Sequence, residues 1–193
     1  MAELALRRQP SIRSTDWLKL LPPASRWILH GGPAARARAA PVWGVQLPET
    51  ACRAAVAGTR ASLWLGPDEY LLLELGPRER IVESAAAVAA EAAAGALEQA
   101  LAGTSHALVE VSHRQFALEV SGEHAATMLN AGCPLDLDPA EFPVGMCTRT
   151  VFAKADVVLW RTRADAFHLE VWRSFAGYVS GLLAEIAREF YPH

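Results

Sequence analysis

The sequence lacks paired cysteines, an excess of positive charge and long apolar runs. Its three cysteines, Cys52, Cys133 and Cys147, show no short paired spacing, which argues against a disulfide framework and against a zinc knuckle. With 18 basic and 21 acidic residues the net charge is −3, so no general electrostatic attraction to nucleic acid is expected. No apolar run approaches the roughly 20 residues of a membrane span, and residues 1–14 lack the order of a secretory signal. We therefore expect a cytoplasmic protein that binds neither nucleic acid nor membrane.

Motifs for nucleotides and metals are also missing. The sequence contains neither G-x-G-x-x-G nor G-x-x-x-x-G-K-[ST], the glycine patterns that bind dinucleotides and nucleoside triphosphates. No two of its six histidines stand four residues apart with a glutamate between them, and none stands near a cysteine at the spacing of metal ligands. We therefore expect no metal site.

The best pairing for a nucleophilic site is Cys147 with His113. Arg149 lies two residues after Cys147 and is a cation of the kind that activates thiols. However, no sequence feature places a histidine within reach, and no glycine-rich oxyanion loop flanks the cysteine. Since a single cysteine of this kind is most often a small buried hydrophobic residue, we predict no catalytic residue in this chain.

One sequence pattern occurs twice. The segment "LWLGPDEYLLLEL" at residues 63–75 is followed 96 residues later by "LWRTRADAFHLEV" at residues 159–171, and the two align without a gap. Apolar residues that alternate on either side of a turn are typical of a β-hairpin. The repeat indicates an internal duplication of a small α+β unit, in which helices cover one face of an antiparallel sheet.

The rest of the sequence predicts the order strand, strand, helix, strand, strand, helix in each half. We predict an N-terminal arm over residues 1–25, a first α+β unit over residues 26–103 and a second over residues 104–193, packed together as one globular domain. The individual predictions are strands at 26–30, 42–47 and 150–160, a loop at 31–41, helices at 48–58, 77–101 and 122–132, a hairpin at 106–112 and 115–122, and a final helix capped by Ser174.

Three places are candidates for contact with a partner or substrate. Asp68 and Glu69 form the tip of the first hairpin, but a general acid–base pair needs a carboxyl group shielded from water, so we interpret them as turn residues. The arm ends with Trp17 and Leu20, which need an apolar surface on this chain or on another. Trp172 has the opposite strand parity to the inward residues beside it, which indicates an exposed position suited to a partner.

Four segments point to a known family. They are "LGPDEYLLL", "VSHRQFALEVSG", "AGCPLDLDPAEFPVGMCTRT" and "VVLWRTRADAFHLEVWRSFAGYVSGLL". Together they closely resemble the sarcosine oxidase gamma subunit family, from about residue 26 to the C terminus. That family is similar to the folate-binding domain of aminomethyltransferase and the YgfZ-like proteins. The resemblance implies an α+β fold of two tandem βαββ units of ferredoxin-like type.

The resemblance also implies a structural role inside an enzyme complex. The complex oxidatively demethylates sarcosine to glycine, hydrogen peroxide and 5,10-methylenetetrahydrofolate. Its alpha, beta and delta subunits are the implied partners, and these carry FAD, FMN, NAD and tetrahydrofolate, with no cofactor in this chain. The residues that we expect to contact partners are Trp17, Leu20, Asp68, Glu69, His113, Arg114, Arg149, Trp172 and Arg173.

The alternative is that this chain binds folate independently, as an aminomethyltransferase-like or YgfZ-like protein. Family folate sites are lined by three subdomains, whereas this chain supplies two, and "AGCPLDLD" shares little more than a Gly-Cys pair with the KGCYxGQE-like signature. A basic edge with Arg149 or Arg173 could hold a glutamate tail, although arginines that end strands more often pair with surface carboxylates. The resemblance therefore favours a subunit without its own folate.

Overall fold

The computed structural model describes residues 12–75 and 83–191, with the backbone alone for residues 83–91. The described chain divides into two compact units. The first unit lies within residues 22–112, and the second joins residues 12–21 to residues 113–191.

Each unit contains one five-stranded sheet and its helices. The strands are β1 (Leu18–Leu20), β2 (Ser25–Gly31), β3 (Ala54–Ala57), β4 (Arg60–Gly66), β5 (Glu69–Glu74), β6 (His106–Glu110), β7 (Gln115–Ser121), β8 (Cys147–Phe152), β9 (Ala155–Arg163) and β10 (Ala166–Trp172). The helices are α1 (Pro33–Trp43), α2 (Glu83–Leu101), α3 (Ala125–Asn130) and α4 (Ala176–Ala187), with a 3₁₀ helix (Arg173–Phe175) directly before α4. The described strands pair in the orders β3-β4-β5-β2-β6 and β1-β7-β10-β9-β8, always antiparallel.

In the first unit, alternate residues of the central strands face the helices. Trp27 and Leu29 on β2 lie opposite Leu72 and Tyr70 on β5. These four buried side chains form one cluster with alanines of α1 and with Leu101 of α2. Because alanine side chains are short, the α1 backbone can approach the strands closely, and the large side chains of the strands fill the space beside them.

Helix α1 replaces the loop that the sequence predicts at residues 31–41. The helix begins at Pro33, where the missing N–H has no intrahelical partner to lose, and alanine and arginine, both strong helix formers, continue it. It ends at Gly44, whose φ of +78° suits glycine and whose N–H donates to Ala40 O at 2.9 Å. Pro41 lies inside the helix, near its end. The backbone hydrogen bond that proline cannot donate is therefore missing only from the last turn.

The next two predictions, a strand at 42–47 and a helix at 48–58, are also wrong. Trp43 ends α1, residues 44–52 form turns and irregular chain, and β3 follows at Ala54–Ala57. Pro48 and Gly58 bound the predicted helix, but proline and glycine also flank turns and short strands.

The second unit has its own core between the sheet and helices α3 and α4. Leu118 and Val120 on β7 lie opposite Leu169 and Phe167 on β10, and all four are buried against Leu183 of α4. Leu18 of β1 belongs to the same cluster. Apolar residues of the predicted arm, namely Ile12, Trp17, Leu18 and Leu20, therefore pack on this unit's core.

A buried arginine orders the connection between α3 and β8. Arg161 is 3% exposed, and its Nη1 donates to Leu137 O at 3.1 Å and to Phe142 O at 2.9 Å. Its Nε donates to Ala164 O at 3.2 Å, and its guanidinium lies 4.9 Å from the centre of the Phe167 ring. Since Leu137 and Phe142 are buried, their carbonyls need a donor inside the protein, and Arg161 supplies it, which stabilises this connection.

The two units are copies of one topology, and each copy exchanges one strand with the other. The order β2-α1-β3-β4-β5-α2 in the first unit is repeated by β7-α3-β8-β9-β10-α4 in the second. Each copy is preceded by a strand that pairs in the other copy's sheet: β1 pairs with β7, and β6 pairs with β2. The α+β class with two antiparallel sheets is confirmed, and each copy contains the expected βαββ order. The predicted repeat order with two strands before each helix is wrong.

The hairpin predicted at 106–112 and 115–122 is wrong for the same reason. These segments are β6 and β7, which are neighbours along the chain but lie in different sheets. The predicted unit boundary after residue 103 therefore falls before β6, whereas the compact units divide after residue 112.

The repeated hairpins are equivalent at a spacing of 97 residues, not 96. Trp64 pairs with Tyr70 and Arg161 pairs with Phe167, and each pair is followed by a bulge and a two-residue turn. The gapless alignment instead matches Leu71 with Phe167. A shift of one residue exchanges the two faces of a strand. The gapless alignment therefore matches residues that lie on opposite faces of their sheets.

The remaining element predictions are partly confirmed. Helix α2 confirms residues 83–101 of the predicted helix, and residues 77–82 lie outside the described part of the chain. Helix α3 falls inside the predicted 122–132. The strand predicted at 150–160 is the β8–β9 hairpin, and the 3₁₀ helix places the start of α4 at Ala176, with no side-chain cap from Ser174.

Candidate partner-binding surface

Strands β7 and β10 bring four of the expected contact residues to one end of the second sheet. The pairing is antiparallel, with Trp172 opposite Gln115, so the start of β7 lies beside the end of β10. His113 and Arg114 come immediately before β7, and Trp172 ends β10. The topology therefore collects side chains that stand about 60 residues apart in the sequence.

Two arginines lie on aromatic rings at this end. The Arg114 guanidinium carbon lies 3.9 Å from the centre of the Trp172 ring, and that of Arg173 lies 4.8 Å from the Phe116 ring. Arg173 Nε also donates to His113 O at 3.1 Å. Cation–π contacts at exposed sites contribute about 0.5–1 kcal/mol each, which favours the observed conformation of both arginines.

Two more exposed aromatic residues follow Trp172 along the chain. Trp172, Phe175 and Tyr178 are 40%, 39% and 41% exposed. Phe175 and Tyr178 pack edge to face with ring centres 6.4 Å apart. We define the arginine–aromatic surface by the following residues: Arg114, Phe116, Trp172, Arg173, Phe175 and Tyr178. Arginine, tryptophan and tyrosine are the residues most enriched among those that dominate binding at protein interfaces.

The other expected contact residues lie elsewhere. Trp17 stacks on Tyr191 with ring centres 6.0 Å apart, and Leu20 packs against the second core, so the chain itself covers the apolar end of the arm. Asp68 lies in the β4–β5 turn at φ +59°, where its carbonyl accepts from Gly31 N–H at 2.8 Å, as expected of a structural turn.

Glu69 and Arg149 belong to strands. Glu69 begins β5 and pairs with His30 on β2. Arg149 is an exposed residue of β8, the edge strand of the second sheet. Neither belongs to the arginine–aromatic surface as defined, and their role in partner contact stays a prediction.

Two of the three thiols are buried, and Cys52 is half-buried. Cys147 is 0% exposed and Cys133 is 6% exposed, with Cys133 Sγ 3.7 Å from Thr150 Oγ1. A thiol must be reached by its substrate to act as a nucleophile, and burial opposes this. Within residues 12–75 and 83–191, no group of three or more histidine, cysteine or acidic side chains is arranged to hold a metal ion.

Sequence reasoning missed a buried His–Glu pair. His168 Nε2 lies 2.8 Å from Glu170 Oε1, and the two residues are 4% and 0% exposed. Residues two apart on a strand point to the same face, so "HLE" within β10 was the available signal. The Trp160 ring packs 5.6 Å from His168. The pair is buried, which is compatible with a structural role.

A shallow groove of about 360 Å³ lies beside β3 in the first unit. It is formed by the end of α1, the chain after it and β3, and Gln46 is the one polar side chain among its described lining residues. Ligand sites usually combine apolar walls with several placed polar groups, which this groove does not provide.

Comparison with known proteins decides the family. A profile of the sarcosine oxidase, gamma subunit family matches residues 30–189. The sarcosine oxidase subunit gamma of Corynebacterium sp. (strain P-1) is 34% identical over 162 residues, which cover 83% of this chain and 71% of that protein. The chain belongs to the sarcosine oxidase gamma subunit family. The resemblance found in the four sequence segments is thereby confirmed.

Solved structures agree with the family in fold. A chain of heterotetrameric sarcosine oxidase from Corynebacterium sp. U-96, solved in complex with pyrrole 2-carboxylate, matches with a TM-score of 0.78 and 28% identity over 90% of this chain and 84% of that chain. Glycine cleavage system aminomethyltransferase T from Bartonella henselae matches with a TM-score of 0.61 and 15% identity, over 89% of this chain and 46% of that one. The second match shows a shared fold alone. No described helix is long and apolar enough to cross a membrane.

Proposed function

We propose that this chain is the structural gamma subunit of a heterotetrameric sarcosine oxidase and holds other subunits of the oxidoreductase in place. The observation that carries the proposal is the similarity to a chain of the Corynebacterium complex over 90% of the sequence. The finer parts of the proposal are that the partners are alpha, beta and delta subunits, that these carry FAD, FMN, NAD and tetrahydrofolate, and that the complex works in the cytoplasm.

The chemistry of the described residues supports a role without catalysis. Cys147, the candidate nucleophile, is fully buried, whereas His113, its proposed partner, is exposed. By contrast, the arginine–aromatic surface exposes three large rings, which suits contact with protein. Groups that react with small substrates need access, and groups that bind subunits need exposed area. The complex would oxidise sarcosine on other subunits, so this chain's contribution is assembly.

Co-expression with the partner subunits tests assembly. A tagged copy of this chain is expected to co-purify with sarcosine oxidase subunits in a fixed ratio and to elute with them in size-exclusion chromatography. A chain that elutes as a monomer and retains none of the subunits would contradict the proposal.

Activity of the assembled complex tests the absence of catalysis. Cys147→Ala in this chain is expected to leave sarcosine-dependent hydrogen peroxide production per assembled complex unchanged within about twofold, because removing a catalytic nucleophile costs several orders of magnitude. A tenfold loss in a complex of normal composition would place a catalytic group in this chain.

The alternative of independent folate binding is favoured by the fold shared with aminomethyltransferase T. Folate carries a polar pterin ring and carboxylates, whereas Gln46 is the one polar side chain along the described groove beside β3. Isothermal titration of the isolated chain with tetrahydrofolate separates the two proposals. We expect no heat of binding; micromolar affinity would favour the alternative.

A further inference from the structure

The stacking of Arg114 on Trp172 leaves its hydrogen-bonding edges available. The guanidinium lies over the indole at 3.9 Å, and its N–H groups lie in the guanidinium plane, directed away from the ring. Such a fork matches the two oxygens of a carboxylate. Because the ring already restricts the arginine, less side-chain entropy is lost when a carboxylate binds.

The two segments that contain Arg114 and Trp172 carry formal charges of one sign only. Residues 111–116 and 171–184 contain two arginines and no aspartate or glutamate, in a protein with a net charge of −3. These two segments supply the whole arginine–aromatic surface. A segment with negative charge is therefore attracted to this end of the sheet, although the chain as a whole repels it.

Exposed aromatic residues add an apolar component at the same place. Of the large hydrophobic side chains exposed in the described part of the chain, the aromatic ones are Trp172, Phe175 and Tyr178, and the remainder are single valines. Exposed aromatic residues concentrated within seven positions are unusual in a surface that only meets water. Rings of this kind bind apolar side chains of a partner next to a charged contact.

We infer that the arginine–aromatic surface binds a segment of another sarcosine oxidase subunit in which a carboxylate stands beside apolar side chains. The carboxylate binds the Arg114 guanidinium, and the apolar side chains pack on Trp172, Phe175 and Tyr178. This inference rests on the proposed function, since it names the surface through which the chain would hold its partner.

Binding of purified chain to an immobilised subcomplex of the other subunits, measured by biolayer interferometry, tests the inference. Trp172→Ala is expected to raise Kd by about 30-fold or more, as for a central interface residue. Arg114→Gln is expected to raise Kd, and Arg114→Glu is expected to raise it further, because it places two carboxylates in contact. The controls are Val151→Ala and Arg188→Ala, which change an exposed valine and an exposed arginine of the same unit; both are expected to bind like the wild type.

Each outcome has one meaning. Wild-type chain that does not bind the subcomplex overturns the proposed function itself. Wild-type binding with unchanged Kd for Trp172→Ala overturns this inference and leaves the proposed function standing. Equal Kd values for Arg114→Gln and Arg114→Glu overturn the inference that a carboxylate of the partner binds Arg114. A wild-type chain that dimerises alone, and that Trp172→Ala makes monomeric, overturns it as well, since a second copy would then occupy the surface. Circular dichroism confirms that each variant is folded; Arg114→Glu, which changes an exposed side chain, carries the test if Trp172→Ala does not fold.

Discussion

Replacement of Leu18 by alanine tests whether the N-terminal segment belongs to the second core. Leu18 is 2% exposed and lies opposite Val120 in the β1–β7 pairing. Backbone hydrogen bonds hold β1 on both sides of this residue, from Ser121 N–H to Trp17 O at 2.8 Å and from Leu21 N–H to Ala117 O at 2.9 Å. Since the strand is fixed in this way, it cannot move inward to fill the space that the shortened side chain leaves.

The expected loss of stability is large. Leucine-to-alanine changes at buried sites cost about 2–5 kcal/mol, and rigid sites that cannot collapse fall in the upper part of that range. For a chain of this length each kcal/mol lowers the melting temperature by about 2–4 °C, so Leu18→Ala should lower it by roughly 4–20 °C. Urea unfolding followed by circular dichroism at 222 nm measures the change as a shift of the midpoint.

The neighbouring Lys19 provides the control. Its side chain is exposed and points to the opposite face of β1, so Lys19→Ala should cost less than about 1 kcal/mol. An unchanged midpoint for Leu18→Ala, or equal shifts for both variants, would refute the assignment of β1 to the second core.

Three further predictions follow from single positions. A Cβ on Gly132 would lie 2.7 Å from the Phe152 ring, so Gly132→Ala should destabilise the protein by about 1–3 kcal/mol in urea unfolding. Gly181 in α4 has open space around it, so Gly181→Ala should be stabilising by up to about 1 kcal/mol; a loss of stability would contradict the position of α4. The Thr104 carbonyl, and then Glu98, raise the pKa of His106 above 6.5. This histidine therefore stabilises the fold fully below about pH 6.5 and loses that contribution as pH rises through its folded pKa. In His106→Gln the urea midpoint should fall less as pH rises through the pKa of the folded histidine. A midpoint with the same pH dependence as the wild type would contradict this contribution of His106.

The sequence predicted the duplication and the class of fold, but not the strand exchange. Hydrophobic alternation shows that a segment is a strand and which residues share a face; it does not show which strand is its neighbour. Two strands separated by His113 and Arg114 were expected to pair because sequential strands usually do. Here β6 completes the sheet before it and β1 completes the sheet of the second copy, a long-range choice that no local pattern records.

The one-residue error in the repeat has a similar origin. The identities Leu63/Leu159 and Trp64/Trp160 favoured a spacing of 96, but the turns and bulges superpose at 97. At the correct spacing, the Arg60–Glu74 ion pair of the first unit corresponds to the buried pair of Val157 and Val171 in the second. The copies thus kept backbone geometry while their chemistry diverged, so sequence identity was a poor guide to structural equivalence.

The arginine–aromatic surface shows that predicted contact residues can lie together although the predicted strand pairing is wrong. Strand parity predicted an exposed Trp172, and the structure has it 40% exposed. His168 and Glu170 share that parity and are buried, so the exposure of Trp172 comes from its place at the end of β10. His113 and Arg114 were chosen as the turn of a hairpin that does not exist. They nevertheless lie beside Trp172, because β7 pairs antiparallel with β10 and its start must lie near that strand's end. Strand direction was therefore the decisive fact for this site, and the contacts of Arg114 with Trp172 and of Arg173 with Phe116 depend on tertiary pairing that only the structure supplies.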